Sequence, residues 1–271
     1  MGVLKISLDY VRGFFMFDDV MTWLGAGWLE PSTVMLLLLV SVLASFMTAA
    51  FGIGGGVLLL VSLASILPVS ALIPVHGLIQ LGSNGNRAVM TRHHIDWNMV
   101  RFFGVGAVVG ALLASLIVVQ LPLQWIQLAV AGFILFLVWG PKPQKQELSV
   151  PGRVISGGVT TLVSMFVGAT GPLVAGLVHR GSYDKMTHTA TFASCMTLQH
   201  CLKGGVFVSV GFAFWQWLPF ISVMIVAGVV GSWLGLKALD RIPAVYFKGI
   251  FRVVITLMAL RLAWQALMAF V

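Results

Sequence analysis

Charge is what this sequence has least of. Only 9% of its 271 residues are Asp, Glu, Lys or Arg, against about 25% in an ordinary soluble domain. Hydrophobic residues make up 59%. The 16 basic and 8 acidic side chains cannot clothe a water-soluble globule of this length. A soluble enzyme, a nucleic-acid-binding module and a disordered chain are therefore excluded. Carboxylates are scarcest of all, and none falls in the apolar segments; Asp96, Asp184 and Asp240 belong to connections. That argues against a carrier of metal cations and removes the usual Asp/Glu proton relay, leaving His76, His188, His200 or the substrate itself for any proton coupling. Cysteine is nearly absent: Cys195 and Cys201 form no Cys-x-x-Cys, and four metal ligands do not assemble. The neighbouring His93 and His94 cannot make a metal site alone. No paired carboxylates, nucleophile–base motif, cofactor fingerprint or ATP motif occurs, so neither catalysis nor a cofactor is expected.

What is present is a series of apolar segments. Residues 1–30 interleave Asp9, Arg12, Asp18 and Asp19 with Phe14, Phe15, Phe17, Trp23 and Trp28. This is not the clean apolar core of a signal peptide but the pattern of a helix lying in the membrane interface. Apolar segments follow at about 33–50, 57–67, 70–90, 98–119 and 122–139. A polar linker, 141–151, separates residues 31–140 from 152–271, where the series recurs at about 152–167, a short piece to 179, then 184–203, 213–236 and 243–269. The two short pieces rise only ~16 and ~12 Å, well under the ~30 Å hydrocarbon core. Each is half of a re-entrant hairpin or a buried broken helix.

The halves are repeats. Gly52-x-x-Gly55 corresponds to Gly168-x-x-Gly171, Asp96-Trp97 to Phe214-Trp215, Val108-Val109-Gly110 to Val229-Val230-Gly231, and Leu121-Pro122 to Ile242-Pro243, with the offset drifting only from 116 to 121. Charge orients them. With five segments per half, Arg87, Arg92 and Arg101, then Lys142, Lys145 and Arg153, then Arg180 and Lys185, then Lys237, Arg241, Lys248 and Arg252 share one side. By the positive-inside rule that side is cytoplasmic and both termini are external. An odd number of segments per half inverts one repeat relative to the other. The expected fold is an all-α integral membrane protein of two inverted repeats, each a glycine-broken or re-entrant helix pair followed by three membrane helices. The lipid bilayer is its partner, nucleic acid is not, and a homodimer is left open.

In such folds the site lies where broken helices meet. The breaks here are Gly52, Gly54, Gly55 and Gly56 in one half, and Gly168, Ala169, Thr170 and Gly171, followed by Pro172, in the other. Each opens a short helix whose first N–H groups lack intrahelical partners and whose positive dipole end suits an anion. Glycine also serves tight helix packing, which is the alternative reading. Two polar helical faces follow the breaks: His76, Gln80, Asn84 and Arg87 (with Ser83) in the first half, and His188, Thr191, Cys195, Gln199 and Lys203 in the second. They line a wet path or hydrogen-bond between helices.

Phe51 to Gly56 followed by an apolar run to Pro68, the stretch Arg92-His93-His94-Ile95-Asp96-Trp97, and Phe166 to Pro172 together resemble the TauE/SafE, or sulfite exporter, family. The resemblance spans about 33–269. It implies a multi-pass transporter in the cytoplasmic (inner) membrane that exports a small sulfur oxyanion, sulfite first, with a sulfonate such as sulfoacetate as the alternative and an anion channel as a rival of another class. Ala169 and Thr170 stand where the family is commonly glycine, so the second break carries a hydroxyl and a methyl that reshape its pocket.

Overall fold

Glycine, proline and short polar side chains set the boundaries of the helices in the computed structural model, which describes residues 19–25, 27, 29–52, 54–117, 123–140, 147–178, 183–239 and 245–268. Pro31 sits in the first turn of α1 (Pro31–Phe51), where a missing N–H costs nothing, and Gly52 ends the helix at φ 79°. Gly54, at φ 105°, precedes α2 (Gly55–Ala64). α3 (Val69–Met90) starts after Pro68. A 3-10 turn at Arg92–His94 leads to Asp96, whose carboxylate accepts from the N–H groups of Asn98 and Met99 and caps α4 (Trp97–Ser115). α5 spans Leu123–Trp139. In the second half Ser149 caps α6 (Val150–Val167), which Gly168 ends at φ 85°. α7 is Gly171–Val178, Asp184 caps α8 (Lys185–Ser209), a 3-10 turn at Phe214–Trp217 opens α9 (Leu218–Ala238), and α10 is Val245–Met268. Among the described residues there is no strand.

Two boundaries differ from expectation. The segment placed at 184–203 continues to Ser209. Lys203 reads as a helix end in the sequence, but it lies well inside α8 with its side chain fully buried. The segment placed at 98–119 ends as a helix at Ser115. Most of the interfacial segment 1–30, positions 141–146 of the linker, and Arg180 and Arg241 lie outside the described residues.

Small residues decide which helices pair. Gly231 and Gly235 of α9 lie on the carbonyls of Val42 and Phe46 in α1, so closely that a Cβ would strike backbone. Gly106 and Gly110 of α4 meet Val154 and Gly158 of α6, and Gly157 meets Phe103, in the same way. Such contacts let backbones approach where lipid offers no hydrophobic drive for association. α3 and α8 cross at the centre: Leu78 packs over Gly204 and Thr197 over Gly85, so the two run antiparallel. α5 pairs with α10, tied by Trp139 Nε1 donating to Thr256 Oγ1 at 3.0 Å. α1, α4, α6 and α9 with its 3-10 turn are long and apolar enough to cross a membrane. Their outward faces, with Leu36, Leu39, Val105, Val109, Leu112, Ile155, Val159 and Val226, are exposed and apolar.

One end of the bundle is tied by polar groups. The Tyr183 hydroxyl donates to the Asp96 carboxylate, the Asp96 N–H donates to Thr191 Oγ1 at 3.0 Å, and Arg153 Nη1 donates to Asn98 Oδ1 at 2.6 Å. Partial burial opposes charge on Asp96. The hydrogen bonds from Tyr183 and the two cap N–H groups, with the Arg153 cation, outweigh it and hold the carboxyl below its ordinary range.

Candidate functional site

The two glycine breaks come together around one small cavity of about 20 Å³, room for little more than one water-sized group. Its wall has two sides. From the first half come Thr48, Gly54 and Gly56 at the α1–α2 turn, and His76, Gln80 and Asn84 on α3. From the second come Ala169, Gly171 and Pro172 at the α6–α7 turn, and Phe192, Met196 and His200 on α8. The N-terminal ends of α2 and α7 therefore both border the cavity, and among the described residues no carboxylate lines it.

Hydrogen bonds fix the first side. His76 Nε2 lies 3.0 Å from the Gly56 carbonyl, which ties α3 to the first turn of α2. Asn84 Nδ2 donates to the Gln80 carbonyl at 2.9 Å, and Arg87 Nη1 donates to Asn84 Oδ1 at 3.1 Å. Arg87 also reaches Ser232 Oγ of α9 at 3.4 Å, and its Nε has no partner. On the second side, Lys203 Nζ donates to the Gly168 carbonyl at 2.8 Å. Its stem lies against Gly77, next to His76, where a Cβ would come within 2.8 Å of Lys203 Cδ. Two imidazoles of the lining, His76 and His200, meet edge to face with ring centroids 6.1 Å apart and planes at 76°. Both are buried; His76 Nδ1 and both ring nitrogens of His200 have no hydrogen-bond partner. Unpaired buried donors and acceptors are costly unless a ligand or water completes them.

The family model described as sulfite exporter TauE/SafE matches residues 37–262. The chain belongs to the TauE/SafE sulfite exporter family. No curated protein and no solved structure matches it. With its long apolar helices, this TauE/SafE chain is a multi-pass membrane protein of a transporter family, not of an enzyme family.

The structure sorts the residues singled out in the sequence. Gly54, Gly56, His76, Gln80, Asn84, Ala169 and Gly171 line the cavity. Gly52 and Gly168 stand behind it as the positive-φ ends of α1 and α6. Gly55 does not face it, for its Cα is pressed on the Ala44 carbonyl and the Thr48 hydroxyl. Thr170 and Gln199 satisfy each other: Thr170 Oγ1 donates to Gln199 Oε1 at 2.7 Å, and Gln199 Nε2 donates to Thr161 Oγ1 at 3.1 Å and Thr160 Oγ1 at 3.3 Å. They brace α6, the break and α8 from behind the lining. Arg87 and Lys203 are buried cations outside it. Thr191 accepts from Asp96, His188 Nε2 lies 3.1 Å from the Ala175 carbonyl, and Cys195 is packed in an apolar cluster with Met99, Phe103 and Phe192. None of these three is in the cavity lining, but His188 stacks on the lining residue Phe192 with ring centroids 6.4 Å apart.

His200, Phe192, Met196 and Pro172 are cavity residues that polar spacing alone overlooks. A signal for them existed. Adding the repeat offset of 116 to Gly56, His76, Gln80 and Asn84 gives Pro172, Phe192, Met196 and His200, and the same step carries Arg87 to Lys203.

Proposed function

We propose that this TauE/SafE chain is a secondary transporter that exports a small sulfur-containing anion, sulfite first, across the cytoplasmic membrane by alternating access, from a site between two inverted repeats. The observation that carries the reading is the pairing just described. Four cavity positions on each side are related by one sequence offset, as a site on a pseudo-two-fold axis requires. The equivalent helices α3 and α8 run antiparallel, which favours inversion over parallel repetition. Exchanging the two halves also turns the α1–α9 pair into the α4–α6 pair. Two helix N-termini, two buried cations and the lack of a lining carboxylate among the described residues make the surroundings of the cavity suit a negative ligand. The membrane potential supplies a drive: a monoanion leaving a negative-inside cell gains about 2.3 kcal/mol per 100 mV.

One observation supports an organosulfonate as the second reading. Phe192, Met196 and Pro172 give the cavity an apolar wall opposite its polar one, where a carbon chain would pack. Purified protein in proteoliposomes decides between them. Saturable counterflow of radiolabelled sulfite, inhibited more strongly by sulfite than by sulfoacetate, is expected. Stronger inhibition by sulfoacetate favours the organic anion, and unitary currents in planar bilayers would mean a channel instead.

The proposed orientation places the Arg92–Asp96 connection inside and the Phe212–Trp217 connection outside. His93 and Trp215 are both exposed. In a cysteine-free background, Trp215→Cys is expected to react with an impermeant maleimide added to whole cells and His93→Cys only after permeabilisation. The opposite pattern would reverse the orientation.

A further inference from the structure

His200 is the one cavity residue whose two ring nitrogens both lack a partner. It lies on α8 and lines the same cavity as Gly56 of α2 and Gly171 of α7. The charged and titratable groups within electrostatic reach are Lys203 on its own helix and His76 on α3. Among the described residues, α7 carries no titratable side chain. On α4, Arg101 is exposed, and on α6 Arg153 is engaged with Asn98 and Leu148 at the far end of the helix. Arg87 of α3 is held by Asn84 and Ser232.

This arrangement couples two ligands. Without an anion, a proton on His200 would set an imidazolium beside the Lys203 ammonium in a buried site with no carboxylate among the described residues, an arrangement the low-dielectric interior penalises heavily. An oxyanion in the cavity changes the balance. Its charge compensates both cations, and a protonated imidazole offers it an N–H that a neutral one can offer only in the correct tautomer. Proton and anion therefore bind each other's occupied form better, and by linkage each raises the affinity of the other equally.

We propose that His200 is the proton-carrying residue of the transport site, so that the anion crosses together with one proton. The proposal rests on the transporter reading above. The proton comes from water on the entry side, sits on a ring nitrogen of His200 while the anion is bound, and leaves with it on the exit side. A dianion so carried moves as a single negative charge, which halves the pull of the membrane potential and adds a dependence on the pH gradient. His76 is anchored through Nε2 to the Gly56 carbonyl and has only Nδ1 without a partner, whereas neither nitrogen of His200 is held.

The test uses the full chain in proteoliposomes clamped at zero potential, with two probes: labelled sulfite, and methanesulfonate, whose own charge does not change near neutrality. Acidifying the entry side by one pH unit is expected to raise the initial methanesulfonate flux several-fold, up to a limit of about tenfold for one coupled proton. An internal pH dye should show one proton moved per anion. His200→Gln, which keeps an N–H donor but cannot take a second proton, is expected to lower the flux and to leave the remainder indifferent to the pH gradient. If only sulfite is carried, the difference between wild type and H200Q under the same gradient removes the contribution of sulfite's own titration. If H200Q does not assemble, His200→Asn and the wild-type stoichiometry decide. Saturable wild-type flux that ignores the pH gradient overturns the proton proposal and leaves the transporter reading standing. The absence of saturable flux for either probe overturns both.

Discussion

Replacing Lys203 by methionine is expected to cut sulfite flux by about 30- to 150-fold and to leave the amount of folded protein nearly unchanged. Lys203 is fully buried, and its amine donates to the Gly168 carbonyl beside the second break. In an environment of effective dielectric ~20, a unit charge at an assumed separation of roughly 6–8 Å from an anion contributes about 2–3 kcal/mol, which is the fold-change stated. Methionine fills nearly the same volume in the notch over Gly77. Folding loses one hydrogen bond to Gly168 and no longer has to bury a charge, and such exchanges are often neutral for stability. Lys203→Arg keeps the cation and is expected to restore flux in part, limited by the larger head group. Initial rates in proteoliposomes and melting temperatures in detergent separate the roles. A lowered melting temperature with unchanged flux per folded molecule would make Lys203 a brace for the α6–α7 turn and nothing more.

Lys203 also shows what the sequence makes legible and what it hides. The helices are readable because Pro31, Pro68, Gly52 and Gly168 punctuate an otherwise continuous apolar chain and because Asp96 and Asp184 sit where caps are needed. The same rules place a charge at a helix end, so α8 reads as stopping at Lys203. In the structure six more residues follow, because the amine finds a backbone carbonyl inside the bundle. The site is half legible. Spacing by three and four finds His76, Gln80 and Asn84, which share a face of α3 and line the cavity. The same spacing finds Thr191, Cys195 and Gln199 on α8, yet these are satisfied by Asp96, by apolar neighbours and by Thr170. A polar side chain inside a bundle can pair with another helix as readily as with a ligand, and the choice depends on which neighbours the fold supplies. The apolar wall is invisible to a search for polar residues, and it emerges only when the repeat itself carries positions across from α3 to α8.

Four of the six glycines at the breaks, Gly54, Gly55, Gly168 and Gly171, are expected to respond very differently to a single methyl group, contrary to the near-equivalence of Gly55 and Gly171 that the repeat alone implies. Gly55 has no room, since a Cβ would overlap the Ala44 carbonyl and the Thr48 hydroxyl, both on the helix that the turn folds back upon. Gly55→Ala must therefore push α2 away from α1, and loss of most folded protein is expected. Gly54 and Gly168 are limited by conformation, at φ 105° and 85°. Holding alanine in such backbone costs on the order of 1–3 kcal/mol. At Gly168 the methyl also meets Leu60 Cδ1 at 2.7 Å. Both alanine variants should fold with clearly lowered melting temperatures. Gly171 is different in kind. It lies in the first turn of α7 without a positive φ, and a Cβ there would sit 3.7 Å from Phe192 Cζ, an ordinary contact. Gly171→Ala is expected to keep the wild-type melting temperature. Because Gly171 lines the cavity, the methyl should still weaken sulfite binding. Thermal unfolding and isothermal titration with sulfite on the four variants check this order. If Gly171→Ala leaves affinity untouched while Gly54→Ala and Gly168→Ala lose only stability, the breaks serve packing and the anion binds elsewhere. If Gly171→Ala alone loses affinity without losing stability, close approach of an anion to the first turn of α7 is what that glycine provides.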